Sequence, residues 1–136
     1  MNKQEVFDSI NYEAALAAPR CAGGHTEVMH SLFKDSAIII AEYTEEDYQG
    51  EIAFAYQFPD GTVCIITDYY GSCSVCDAWD GASDEDVKYL IKSMVSSSRV
   101  FRNRAEAVEY CGVECQKPFE YSHHVAVNLL EQLKES

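Results

Sequence analysis

Two cysteines separated by two residues, Cys73 and Cys76, form the motif of this chain that is best suited to chemistry. They lie in residues 68–80, whose sequence is Asp-Tyr-Tyr-Gly-Ser-Cys-Ser-Val-Cys-Asp-Ala-Trp-Asp. A Cys-x-x-Cys pair can form half of a tetrahedral zinc site, and the same spacing occurs in redox-active dithiols. Free cysteines also pack as small apolar side chains, which is the simplest interpretation because it needs no further partner.

The charges around this pair argue against a redox role. A catalytic dithiol needs a lowered thiol pKa, which usually comes from nearby cations or from a helix N-terminus. The nearest charged residues here are Asp68, Asp77 and Asp80, and negative neighbours raise the pKa of a thiol. We therefore expect Cys73 and Cys76 either to pack in the fold or to bind zinc.

A tetrahedral zinc site would need a second pair of ligands. The candidates are Cys111-x-x-x-Cys115, Cys21-x-x-x-His25, and His123 or His124. The set taken as the prediction is Cys73, Cys76, Cys111 and Cys115, although the 34 residues between Cys76 and Cys111 exceed the usual spacing of a zinc ribbon. The expected cofactor is therefore none or a structural zinc ion, and the other candidate ligands stay open.

Residues 70–77, Tyr-Gly-Ser-Cys-Ser-Val-Cys-Asp, resemble a family of small acidic phage and bacterial proteins. These uncharacterised proteins carry a Tyr-Gly-Ser-Cys-x-x-Cys-Asp stretch after a short sheet. The resemblance extends over about residues 50–110. It implies an intracellular, phage-encoded protein, and it implies no chemistry because the family has no assigned activity.

The negative charge of the chain is concentrated in one segment. The 136 residues have a formal net charge of −13, and residues 35–86 contain 13 of the 23 acidic residues and no Lys, Arg or His. The remaining 84 residues carry ten acids and ten bases, and five of those bases lie within residues 88–104. A protein of this charge is not expected to bind nucleic acid or an anionic membrane directly.

Hydrophobic periodicity predicts a single α+β domain, residues 1–136, with a three-stranded antiparallel meander and four to five packed helices on both faces. The strands are predicted at 36–43, an isoleucine-rich run expected to be covered on both faces, and at 51–58, where large apolar and small side chains alternate. A third strand is predicted at 62–70, after a turn at Pro59–Gly61, with 100–101 as a short additional edge strand. The helices are predicted at 3–18, 26–34, 83–95, 103–112 and 121–134. Two of them begin at capping residues, Ser83 with Asp86 and Asn103 with Glu106, and Gly112 is expected to end the fourth.

The meander would gather the negative charge at one place. If the first strand runs upwards, the turn at 44–50 and the end of the third strand lie at the same end of the sheet. Only Asp35 and Asp60 then fall at the other end. We call the eleven acids predicted at the upper end the acidic end: Glu42, Glu45, Glu46, Asp47, Glu51, Asp68, Asp77, Asp80, Asp84, Glu85 and Asp86.

This geometry predicts a non-catalytic binding protein that docks on a basic site of another protein, as a nucleic-acid mimic or phage-type inhibitor. Trp79, Tyr69 and Tyr70 are interpreted either as anchors for that partner or as a lid over the sheet. The predicted contact residues are Glu42, Glu45, Glu46, Asp47, Glu51, Asp68, Tyr69, Tyr70, Asp77, Trp79, Asp80, Asp84 and Glu85.

Two other functions stay open. One is a small zinc- or thiol-dependent enzyme centred on Cys73, Cys76 and Asp68, although the chain contains none of the usual enzyme signatures, such as Gly-x-Ser-x-Gly or His-Glu-x-x-His. The other is an acidic subunit of a larger assembly, with Trp79 and residues 99–104 at the contact. Six cysteines without an export signal predict reduced thiols in the cytoplasm, and no apolar run approaches the roughly 20 residues of a membrane helix.

Overall fold

Four strands and six helices make up the part of the chain described by the structure, a computed structural model that covers residues 1–19, 25–44, 50–70, 79, 81–117 and 123–135. The helices are α1 (Lys3–Asp8), α2 (Tyr12–Ala17), α3 (Thr26–Ser31), α4 (Asp84–Ser96), α5 (Arg104–Glu114) and α6 (His123–Lys134). The strands are β1 (Ile38–Thr44), β2 (Gly50–Gln57), β3 (Val63–Tyr70) and β4 (Arg99–Phe101). The predicted α+β class is confirmed.

The strands form one antiparallel sheet in the order β1-β2-β3-β4. The first three strands are the predicted meander, and the short edge strand expected at 100–101 is present as β4. It pairs only with the lower half of β3, from Val63 to Ile65. The sheet therefore has four strands instead of three, with six helices instead of four to five in the described residues.

The central strand β2 has two different faces, and each face collects its own helices. Ile52, Phe54 and Tyr56 point into a first core built with α1, α2, α3 and α4. Ala53 and Ala55 point into a second core built with α5 and α6, because their small side chains leave room for helices close to the sheet. Helices therefore cover both faces, as the alternation along 51–58 predicted.

The burial of β1 corrects one prediction. The isoleucine-rich segment 36–43 predicted a strand covered on both faces, but β1 is an edge strand that begins at Ile38. Ile38 is 66% exposed, and Ala41 is the strand's one fully buried residue. Ile39 packs against the first core and Ala41 and Tyr43 against the second, so each face of β1 meets a helical layer, but the edge strand is only partly covered.

Local hydrogen bonds correct three helix boundaries. The helix predicted over 3–18 is divided, because the side chain of Asn11 accepts a hydrogen bond from the backbone N–H of Ala14 and starts a second helix. The next helix ends at Ser31 rather than at 34. Gly112 does not end α5, which continues to Glu114. Apolar periodicity continues across the break at Asn11, so the capping residue is the sequence signal for this second helix.

The predicted caps and turn are confirmed. Ser83 and Asp86 form a reciprocal capping box at the start of α4, and the side chain of Asn103 caps α5. The turn between β2 and β3 places Gly61 at a φ of 95°, a conformation that favours glycine. None of the helices in the described ranges has the length and apolar content that crossing a bilayer would need.

The capping box of α4 gives a first prediction. Ser83→Ala removes the acceptor of the Asp86 N–H, and we expect it to lower the free energy of unfolding by about 1 kcal/mol. Ser93→Ala, at an exposed position inside the same helix, is the matched control and should be neutral or slightly stabilising. Urea unfolding followed by circular dichroism measures both. Equal effects of the two substitutions would contradict a role for the cap.

Asp60 gives a second prediction. The backbone N–H and the hydroxyl of Thr62 lower the pKa of the Asp60 carboxyl from 3.8 to about 2. Because the pKa is lowered by folding, the resulting stabilisation is complete above pH 4 and is lost as the pH falls towards 2. The difference in unfolding free energy between wild type and Asp60→Asn should therefore shrink over this range in urea titrations. Glu13→Gln, at an exposed carboxylate of α2, controls for the loss of one charge.

Candidate functional site

The strand register brings the described acids of the acidic end together. Thr44, Ile52 and Asp68 are aligned across β1, β2 and β3, so the end of β1, the start of β2 and the end of β3 coincide. The first turn of α4 follows Trp79 by five residues, and the indole of Trp79 contacts Asp68. The register therefore places three of the eleven acids, Glu42, Glu51 and Asp68, at this end, and Asp84, Glu85 and Asp86 lie in the first turn of α4, five to seven residues after Trp79.

Several predicted site residues lie outside the described residues. These are the acids Glu45, Glu46, Asp47, Asp77 and Asp80 and the cysteines Cys21, Cys73 and Cys76. Tyr69 and Tyr70 belong to β3, and His123 and His124 open α6, but only the backbone of these four residues is described. Their predicted roles therefore stay predictions.

Two acids of the acidic end are paired with histidines around α3. Glu42 Oε2 lies 2.9 Å from Nε2 of His30, in a contact where both side chains are partly exposed. Asp68 Oδ2 lies 2.8 Å from Nε2 of His25, whose side chain is fully buried. Asp68 faces the first core because it lies opposite Ile52 in the register, and this explains how a residue just before α3 reaches it.

The arginines that follow β4 lie at the other end of the sheet. Phe101 pairs with Val63, the first residue of β3, so Arg102 and Arg104 follow at the end where β3 begins. Arg102 forms an ion pair of 2.8 Å with Glu106 on the surface of α5. On the exposed side of α4, Lys88 approaches Glu85 at 3.5 Å.

His25, Asp68 and Trp79 form a compact group that we call the His25 cluster. The rings of His25 and Trp79 stack with centroids 4.2 Å apart and planes 8° apart, and the indole Nε1 donates to Asp68 Oδ2 at 3.3 Å. Trp79 is only 2% exposed. Of the two interpretations of Trp79, the lid over the sheet is therefore the one that fits, and its side chain does not belong to the exposed surface predicted to contact a partner.

The hydrogen-bonding state of His25 is unusual for a buried side chain. Its Nε2 is close to Asp68, but the contact lacks the alignment of a hydrogen bond, and Nδ1 has no hydrogen-bond partner in the described part of the chain. Leaving a buried polar atom unpaired costs about 1–3 kcal/mol. A carboxylate also orients the imidazole in many histidines that bind a metal or that activate a nucleophile.

The described cysteines behave as packed thiols. Cys64 lies in the first core and Cys111 in the second, and burial raises the pKa of each thiol to about 11. Burial also raises the pKa of Cys115. No group of three metal-ligating side chains is present among the residues that the structure describes. Cys111 and Cys115 are on the α5 side of the sheet, whereas the His25 cluster is on the other side.

A cleft of about 390 Å³ lies beside the upper half of β3, above the point where β4 ends its pairing. Its polar lining includes Glu51, Arg99 and Glu114, and the guanidinium of Arg99 lies 5.0 Å from the centre of the Tyr110 ring. Sequence patterns did not indicate this cleft, because its residues come from five separate elements, β2, β3, β4, α5 and α6. It adds Glu114 to the carboxylates near the acidic end.

The packing of Trp79 gives a third prediction. Because it is the one tryptophan of the chain, its fluorescence reports this site alone. The emission should be blue-shifted and protected from iodide quenching, and Trp79→Ala should lower the free energy of unfolding by about 3–5 kcal/mol. Trp79→Phe keeps an aromatic ring against His25 and should cost less. Emission resembling that of free tryptophan in the folded protein would contradict the buried position.

Comparison with known proteins gives no relative for this chain. No family model matches it, and neither a curated protein nor a solved structure was found to be similar.

Proposed function

We propose that the protein is a non-catalytic binding protein whose acidic end docks on the basic, nucleic-acid-binding site of another protein. The observation that carries the proposal is the separation of charge along the sheet. Glu42, Glu51 and Asp68 lie where β1 ends, β2 begins and β3 ends, and Asp84, Glu85 and Asp86 follow Trp79 in α4, whereas Arg102 and Arg104 follow the opposite end of β3. A surface of this kind attracts a basic partner and orients it.

The exposure of the acids supports this proposal. Asp84, Glu85 and Asp86 are exposed in the first turn of α4, and the Glu85 side chain is 86% exposed. Its pair with Lys88 is a surface contact of the kind worth about 0–1 kcal/mol, so a stronger cationic partner can replace it. Carboxylates that are already hydrated and accessible can meet a basic surface with little rearrangement.

The class of partner follows from the sign and density of the charge. Sites that bind nucleic acid are lined with Lys and Arg, and their affinity depends on neutralising closely spaced negative charges. A protein that presents carboxylates at similar density competes for the same cations. Its effect on such a partner would be inhibition by occupying the nucleic-acid site, which is the action of a decoy.

A pair of charge-matched variants tests the proposal. The acidic-end variant carries Glu42→Gln, Asp84→Asn and Glu85→Gln, and the control carries Glu5→Gln, Asp8→Asn and Glu109→Gln, which neutralise three exposed acids outside residues 35–86. Both variants lose the same negative charge. Binding to a labelled oligoarginine peptide is measured by fluorescence anisotropy, first at low salt and then at increasing salt, with duplex DNA as the competitor.

We expect the acidic-end variant to lose at least about tenfold in affinity and the control to change by less than about twofold, because close charges dominate binding. Binding of the peptide to the wild-type protein should weaken as salt is added. Duplex DNA should displace the protein, because the DNA binds the cationic peptide itself. Equal losses in the two variants would show that only the net charge matters, which contradicts docking at the acidic end.

A further inference from the structure

We propose that the cleft beside β3 binds a small zwitterion, an α-amino acid with an apolar side chain. The proposal is independent of the docking function, because it concerns a cleft between the sheet and the α5–α6 layer. The cleft has a volume of about 390 Å³, within the range of about 300–1,000 Å³ that is usual for sites of small ligands. Its charged and apolar lining residues indicate the chemistry of the ligand.

The strand register places opposite charges on one face of the sheet. Arg99 lies opposite Ile65, and Glu51 lies opposite Tyr69, four residues further along β3. Ile65 and Ala53 pack in the second core, so Arg99, opposite Ile65, and Glu51, two residues before Ala53, face the α5–α6 side. Their Cα atoms are about 13 Å apart along the strands and about 10 Å apart across them. This separation leaves room for a bound molecule between the two charged groups.

The guanidinium of Arg99 is positioned to bind a carboxylate. It lies 5.0 Å from the centre of the Tyr110 ring, a cation–π contact that restrains the side chain without using an acid. Within the described part of the chain, no Asp or Glu forms an ion pair with Arg99. A guanidinium has a planar set of N–H donors that matches the two oxygens of a carboxylate. A ligand carboxylate can therefore bind Arg99 without displacing a described acid.

Glu51 is the acid that we assign to the ligand ammonium, because it shares a sheet face with Arg99. Its Oε2 atom is inaccessible to solvent, so its charge is screened less than that of a surface acid. Asp68 also lines the cleft but faces the first core, and Glu114 is paired with Lys117 at 3.1 Å. A carboxylate at one end and an ammonium at the other are the two charges of an α-amino acid.

The walls of the cleft suit an apolar side chain. Val125, Ala126 and Leu129 of α6 line it together with Ile65 of β3, and all four are buried in the second core. They present hydrocarbon groups and no hydrogen-bonding side chain. A charged ligand side chain would lose hydration against them without gaining a partner. The cleft therefore favours an aliphatic amino acid such as leucine.

Two analogues of leucine test both charges without altering the protein. Isocaproate lacks the amino group of leucine, and isoamylamine lacks its carboxylate. Binding to the ¹⁵N-labelled wild-type protein is followed by NMR at the amides of Glu51, Thr67, Arg99 and Cys111, which line the cleft. We expect leucine to bind about 10–100-fold more tightly than either analogue, because hydrogen bonds to charged groups are worth factors of this size.

Charge-removing variants assign each end of the ligand. Arg99→Gln should abolish the preference for leucine over isoamylamine, and Glu51→Gln should abolish the preference for leucine over isocaproate. The controls Arg102→Gln and Glu109→Gln remove exposed charges outside the cleft and should bind leucine within about twofold of the wild type.

The comparison of leucine with its analogues keeps the test decisive if a variant does not fold, because it uses the wild-type protein alone. Leucine that shifts none of these amides at millimolar concentration would overturn the proposal. So would leucine that binds no better than isoamylamine, since the cleft would then be a site for cations. An equal loss of leucine affinity in Arg99→Gln and Arg102→Gln would also contradict it. Docking at the acidic end is tested separately by the oligoarginine peptide.

Discussion

The difference between the two faces of β2 is the constraint on which the rest of the structure depends. Large side chains on one face and alanines on the other require separate helical layers, one of four helices and one of two. With both faces covered, the neighbouring strands must pair at the edges of β2 and return by short connections. The end of β1 and the end of β3 therefore lie at the same end of the sheet, on either side of β2, and they carry Glu42 and Asp68 there.

Two features with different physics meet at that end of the sheet. Exposed carboxylates such as Glu42 act through a long-range field that salt screens. The His25 cluster acts through contacts of about 3–4 Å in a region closed to solvent, where an unpaired polar atom is costly.

Local signals in the sequence were enough for the meander, because alternation along 51–58 and the turn at Pro59–Gly61 are both short-range patterns. The capping residues Ser83 and Asn103 were equally visible. The division of the first helix at Asn11 was not, since apolar periodicity continues through it. The stacking of His25 on Trp79 joins residues 54 positions apart, and no pattern at either position indicates the other. The cleft beside β3 was hidden for the same reason.

The central claim is that binding to a basic partner is confined to the acidic end, and an NMR titration of the ¹⁵N-labelled protein with an oligoarginine peptide tests it most directly. The account predicts that amide shift changes concentrate at residues 42–44, 50–52, 67–70 and 84–88, and that they fade as salt is added. Changes of similar size around Arg102, Arg104 and the turn at Asp60 would contradict it.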